Sequence, residues 1–298
     1  MIKTLSSYTD SLIIPQSIRT YLKTFRYTFN PSIIEGVKGN YLAIRFYNDQ
    51  TKVVEAVLFF WNNGDNFKSI NLSSYFRKEA GIKKVADPKL FKLKDGSICG
   101  TFNTGFTKNG NNAIFFFEIE GVKLKSCYTC QYNGRQKIEK NWVFYQANNT
   151  LHALYSLSPL KILKCTKVGE NLFCAEVLGL SQKNNFERLS LGTPLLHWEG
   201  DRYICLAHKK YYFKGKRLYT GIPIIFDAKN QSITTQKNEF IHSFKSLLGA
   251  KKKFNKNLFS CTYFSGIMKK GMDVILTYGI NDVSWNLTRI KTRKLWKL

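Results

Sequence analysis

Asp87-Pro88-Lys89-Leu90-Phe91, closed by the turn Asp95-Gly96-Ser97, is the stretch that decides the fold. It sets out a phrase: a polar residue, Pro, an apolar step, then a Gly turn. Pro88 disfavours helix at Asp87 and favours the start of a strand. The phrase recurs on either side. Upstream stands Asn30-Pro31-Ser32-Ile33 with Gly39-Asn40-Tyr41-Leu42. Downstream come Lys140-Asn141-Trp142-Val143 with Asn148-Asn149-Thr150-Leu151, then Gly192-Thr193-Pro194-Leu195-Leu196 with Gly200-Asp201-Arg202-Tyr203. The last is Phe264-Ser265-Gly266-Ile267 with Gly271-Met272-Asp273-Val274.

The spacing of about 50 to 70 residues holds about four short strands, the size of one propeller blade. Between the phrases lie short apolar or alternating runs: Tyr41 to Phe46, Val53 to Trp61, Ala113 to Glu118, Leu151 to Ser156, Tyr203 to Ala207 and Asp273 to Tyr278. Gly, Asn and Asp turns break them, which is an all-β pattern. Five such units over 298 residues predict a five-bladed β-propeller with four-stranded antiparallel blades. A β-sandwich is the alternative. One domain is expected over residues 1–298, with an N-terminal segment at 1–25 and a basic tail at 288–298. Only Ser7 to Thr24 and Phe240 to Ala250 read as short helices.

Lys and Arg number 46 against 20 Asp and Glu, a net charge of +26. Of that excess, +15 falls between Asp201 and Leu298. Such a charge points to an anionic partner. The tail from Lys291 mixes Trp and Leu with its charges and could lie on an anionic membrane surface. Nucleic acid is the weaker reading, since no zinc-finger spacing, RNP-like strand or Walker loop accompanies the charge. Plain solvated lysines are the third. Aromatics at 15% exclude a disordered or fibrous chain. No apolar run approaches the ~20 residues of a membrane span. The start has no apolar signal region, and the seven Cys suit free thiols in a reducing compartment. Cys127 and Cys130 form one CxxC with no second pair at zinc spacing, so no metal is expected.

In a propeller the first strand of each blade lines the central channel. The polar residues opening the phrases, Asn30, Asp87, Glu139 to Asn141, Thr193 and Ser265, should therefore meet at one mouth. Cleavage of a glycosidic bond needs two carboxylates, one to give a proton and one to act as base or nucleophile. Asp87, Glu139 and Asp282 are the candidates that open a blade or end an inner strand. The plainer readings are a turn-capping Asp87, a Glu139 salt-bridged to a neighbouring Lys, and an Asx turn at Asp282. Arg26, Arg45, Lys140, His208 and Lys209 could hold a phosphate.

Four phrases in order carry a resemblance: Ala86 to Phe91, Glu139 to Trp142, Tyr203 to His208 with Asp227, and Leu276 to Asp282. Together they resemble the five-bladed propeller glycosidases, above all the inverting β-mannoside phosphorylases and hydrolases and the related mannosyltransferase/phosphorylases. The resemblance implies that Asp87 is the general acid, working through a substrate hydroxyl. It also implies that Lys140, Asn141 and His208 contact phosphate, and that Asp282 holds sugar hydroxyls. Asn30, Arg45, Asn103, Tyr155 and Tyr278 complete the candidate substrate contacts, the last as a stacking ring. Ala86, Lys89, Asn30 and Tyr155-Ser156 depart from that pattern, which weakens both phosphorolysis and a double-carboxylate hydrolase.

The expected function is a glycosyltransferase of mannosyltransferase/phosphorylase type. It would move a sugar from a nucleotide-sugar or sugar-phosphate donor to a lipid-linked or surface glycan precursor. It would work in the cytoplasm, peripheral on the inner face of the membrane, and needs no cofactor. An inverting β-mannoside hydrolase is the alternative, and a non-catalytic glycan-binding propeller the third.

Overall fold

The computed structural model describes residues 1–8, 13–62, 64–106, 110–177, 186 and 188–296. The chain is all-β. All six apolar or alternating runs lie on strands, except that Ala113 stands one residue ahead of its strand. Five antiparallel meanders follow one another. Unit one is Thr28–Glu35, Asn40–Asn48, Val53–Trp61 and Phe67–Asn71; unit two is Ala86–Lys92, Ile98–Asn103, Ile114–Glu120 and Lys123–Gln131. Unit three is Val143–Ala147, Thr150–Leu157, Leu160–Val168 and Asn171–Glu176. Unit four is Leu196–Glu199, Arg202–Phe213, Lys216–Asp227 and Ser232–Thr235; unit five is Leu258–Lys270, Asp273–Ile280 and Ser284–Lys291.

Two features differ from five separate four-stranded blades. Unit five has three strands among the described residues, and the N-terminal segment runs beside its last strand, Tyr8 N donating to Leu287 O at 2.9 Å. Hydrogen bonding also joins the units into three sheets of four, eight and ten strands. Units two and three are sewn together by parallel pairing of Asn171–Glu176 with Lys123–Gln131. Units four and five are joined by parallel pairing of Lys216–Asp227 with Leu258–Lys270. Unpaired outer edges are a liability that such pairing removes.

The core is divided among the units. Both faces of Asn40–Asn48 are buried, so alternate residues serve different clusters. Leu42, Ile44 and Phe46 pack with Ile275 and Leu287 of unit five and with Ile18 and Leu22. Tyr41 and Ala43 face Leu90 and Phe102 of unit two. Similar clusters lie between units two and three, three and four, and four and five.

The helical segments differ from expectation. Ser7 to Thr24 shortens to the helix Gln16–Lys23, with residues 9–12 outside those described, and Phe240 to Ala250 holds only the 3-10 turn Phe244–Leu248. A third helix, Leu72–Ala80, was not foreseen. Its signals are local: Asn71 caps it by accepting from Ser74 N at 2.9 Å, and Gly81 ends it in the left-handed region at φ 64°. The C-terminal tail is a correction. Trp296 is fully buried, Leu295 is buried beside it, and Trp296 Nε1 donates to Ile224 O at 2.9 Å. The Trp and Leu that suggested a membrane-surface peptide belong to the core between units four and five. No helix among the described residues is long and apolar enough to cross a membrane.

Candidate active site

Each repeat phrase falls on, or just before, the first strand of its unit. Asn30 and Asp87 sit inside those strands with φ of 54° and 49°. The extended start expected at Asp87 is therefore a left-handed residue instead. Asn and Asp tolerate this region because their short polar side chains hydrogen-bond locally. The strand register slips at both places, between Phe29 and Ser32 and between Ala86 and Lys89. Such bulges re-aim a side chain, and here both residues line the same cavity.

That cavity has a volume of about 790 Å³. Asn30, Arg45, Asp87, Asn103, Lys140 and Asp282 all line it. Arg45 Nη1 reaches Asp87 Oδ1 at 2.8 Å, and Asn30 Nδ2 donates to the same oxygen at 2.9 Å. Burial opposes a charge on Asp87, but Arg45, the Asn30 amide, Lys140 and Lys89 together outweigh it and hold the carboxyl below its ordinary range. Asn103 supports the strand behind, its Nδ2 donating to Ala86 O at 3.1 Å. Asp282, also left-handed at φ 57°, is pushed up to about 6 by lost hydration; Arg45 opposes this and Asp87 reinforces it. One cavity thus holds two carboxyls whose acid strengths are driven apart.

A buried polar cluster adjoins it. Lys89, 2% exposed, donates to Asn141 Oδ1 at 2.9 Å and to Gly192 O. Tyr263, which lines the cavity, donates to the same Asn141 oxygen at 3.0 Å. Burial pushes Lys89 down to about 8, and burial with Lys89 pushes His208 down to about 3. His208 is therefore neutral; its ring lies 4.3 Å from that of Tyr263.

Three candidates lie elsewhere. Glu139 is buried in a turn, where Oε2 accepts from Trp142 Nε1 at 2.8 Å and Oε1 from Tyr155 OH at 2.8 Å. Neither Glu139 nor Tyr155 lines the cavity. Tyr278 is 1% exposed and packs on Phe264, with ring centroids 5.6 Å apart. Of the other basic candidates, Lys209 pairs with Glu239 at 2.8 Å, and Arg26 lies over the Tyr27 ring beside a different cavity. Sequence reasoning missed Arg77, Lys83, Lys84, Arg217 and Lys256, which line the cavity from outside the repeat phrases.

No protein family's sequence profile matches the chain, and no curated protein sequence does. Solved structures do match. A glycosyl hydrolase from Bacteroides ovatus is 12% identical with a TM-score of 0.62, over 91% of this chain and 86% of that one. A β-1,2-mannobiose phosphorylase from Listeria innocua, in complex with β-1,2-mannobiose, is 13% identical with a TM-score of 0.56, over 91% of each chain. A third comes from the GH130 family of mannoside phosphorylases, which contains glycoside hydrolases that target β-1,2 mannosidic linkages in Candida mannan. It is 12% identical with a TM-score of 0.63, over 91% of this chain and 86% of that one. The fold is shared with glycoside hydrolases and mannoside phosphorylases. At this identity the likeness concerns the fold alone.

Proposed function

We propose that the chain is a carbohydrate-active enzyme that cleaves a glycosidic bond in the cavity between Asp87 and Asp282. The observation that carries this reading is the pair of carboxyls with acid strengths driven apart, the arrangement that assigns one group as acid and the other as base. Asp282 would protonate the leaving oxygen. Asp87, kept ionised by Arg45 and Asn30, would act as base. This reverses the role that the sequence resemblance implied for Asp87. The five meanders act as blades of one propeller domain, a reading supported by the apolar cluster that units one and five share. The fold likeness supports cleavage over transfer from a nucleotide sugar.

A second reading rests on charge. Seven cationic side chains line the cavity against two carboxylates: Arg45, Arg77, Lys83, Lys84, Lys140, Arg217 and Lys256. That excess favours phosphate as the co-substrate in place of water.

The test offers mannobiose-type and aryl mannoside substrates to the purified protein, with and without inorganic phosphate. Free sugar in water supports hydrolysis; sugar phosphate formed only with phosphate supports phosphorolysis. Loss of either in Asp87→Asn and Asp282→Asn supports the assignment. Undiminished release in both variants, or no release from any glycoside, overturns it.

A further inference from the structure

The hairpin of Arg202–Phe213 and Lys216–Asp227 and the segment 244–257 build one face. Phe213 packs on Phe259 with the rings tilted, centroids 4.6 Å apart, and Phe259 O accepts from Ala250 N at 2.7 Å. Arg217 N donates to Asn257 O at 3.0 Å. The face reaches the cavity mouth, because Arg217, Phe254 and Lys256 line that cavity.

Its composition is unusual for a surface in water. Leu248 is 85% exposed, Tyr212 61%, Phe244 57% and Phe213 50%. Among them stand Lys214, Lys216, Lys245, Lys251 and Lys252, all exposed. None of these five has a carboxylate partner among the described residues, whereas nearby Lys209 is paired with Glu239. No Asp or Glu occurs between 208 and 221, or between 240 and 257.

Contiguous exposed apolar side chains mark an interaction surface. Lysines around them set the partner's charge. A partner with hydrocarbon beneath a negative surface satisfies both at once: Phe and Leu enter the acyl boundary while lysines meet the headgroups. Nucleic acid fits less well. It rewards aromatic stacking and bidentate Arg, but leaves Leu248 and the exposed Leu247 without a partner.

We propose that this face docks on an anionic lipid bilayer and sets the cavity mouth at the membrane surface. The proposal stands independently of what the cavity cleaves. Sedimentation of the full chain with phosphatidylglycerol-containing vesicles, and with pure phosphatidylcholine vesicles, tests it. Binding is expected on the first, at least about tenfold above the second, and weakened by salt. Phe244→Ser with Leu248→Ser should lower it roughly tenfold or more. Lys251→Ala with Lys252→Ala should lower it roughly fivefold per lysine. Circular dichroism checks that each variant keeps the parent fold and melting temperature. Equal binding to both vesicles, no binding, or binding unaffected by Phe244→Ser with Leu248→Ser overturns the proposal. So does binding to single-stranded DNA with no vesicle binding, which would make the face a nucleic-acid surface.

Discussion

Arg45 Nη1 lies 2.8 Å from Asp87 Oδ1, a part-buried ion pair that ties the second strand of unit one to the first strand of unit two. Removing one partner of such a pair leaves the other charge without its counterion. Arg45→Ala should cost about 1–3 kcal/mol by urea unfolding, between the exposed and fully buried cases. It should also raise the Asp87 pKa, making the carboxyl a weaker acid. Because that carboxyl is held low in the folded chain, its stabilisation is present above pH ~4 and lost as pH falls through the folded value. Arg45→Ala should flatten that acid-side dependence, and Arg45→Lys should keep part of it.

Asp282 has the opposite sign. The folded carboxyl holds its proton up to about 6, while in the unfolded chain it loses it near pH 4. Stability should therefore fall as pH rises between these values and stay lower above them. Asp282→Asn should remove this loss and raise stability at pH 7 by about 2 kcal/mol, read from thermal melts across pH. If Asp282 is the proton donor, glycoside cleavage falls about tenfold per pH unit above about 6.

Gly279 makes room for Asn30. A Cβ added there would stand 2.0 Å from Asn30 Oδ1. Gly279→Ala should force the amide off Asp87 and cut turnover at least tenfold, with a stability loss of about 1–3 kcal/mol. Steady-state kinetics and melting on the same preparation check both parts.

Glu139 should behave as a structural residue. Glu139→Ala strands the donors of Trp142, Tyr155 and Gln136 N. Trp142 is the buried one of the three, and a buried unsatisfied donor costs about 1–3 kcal/mol, so the melting point should drop by several degrees. Turnover per folded molecule should stay within about twofold of the parent, since the group does not line the cavity. A loss like that of Asp87→Asn would return Glu139 to the catalytic set.

Trp296→Ala should destabilise by about 3–5 kcal/mol, because the indole is fully buried and its Nε1 is hydrogen-bonded to Ile224 O. Guanidinium unfolding measures it. A near-neutral result would mean that the tail does not close the core between units four and five.

Much of the fold was legible because strands and turns are written locally. Alternation along Val53 to Trp61 and turns such as Lys94-Asp95-Gly96 need no distant partner to be read. The repeated phrases led to Asn30, Asp87 and Lys140, and the search for carboxylates at strand ends led to Asp282; all four line one cavity. The helix Leu72–Ala80 was also legible in its caps, Asn71 and Gly81, but passed over among strand signals.

The rest depended on what lies across space. Nothing in Glu139-Lys140-Asn141 says that the glutamate turns inward to Trp142 and Tyr155 while the lysine faces the cavity. Arg77, Lys83 and Arg217 reach the cavity from separate segments, and no local pattern joins them. The tail reads as amphipathic until Ile224 and the unit-four strands are placed around Trp296. By itself the sequence determined the strands, the turns and the five-fold phrase, because those follow from backbone periodicity. Only the tertiary structure decided which carboxyl is held below its ordinary range, which is pushed above it and which is locked away. Acid strength depends on burial and on charges brought near by folding, and those come from residues remote in the chain.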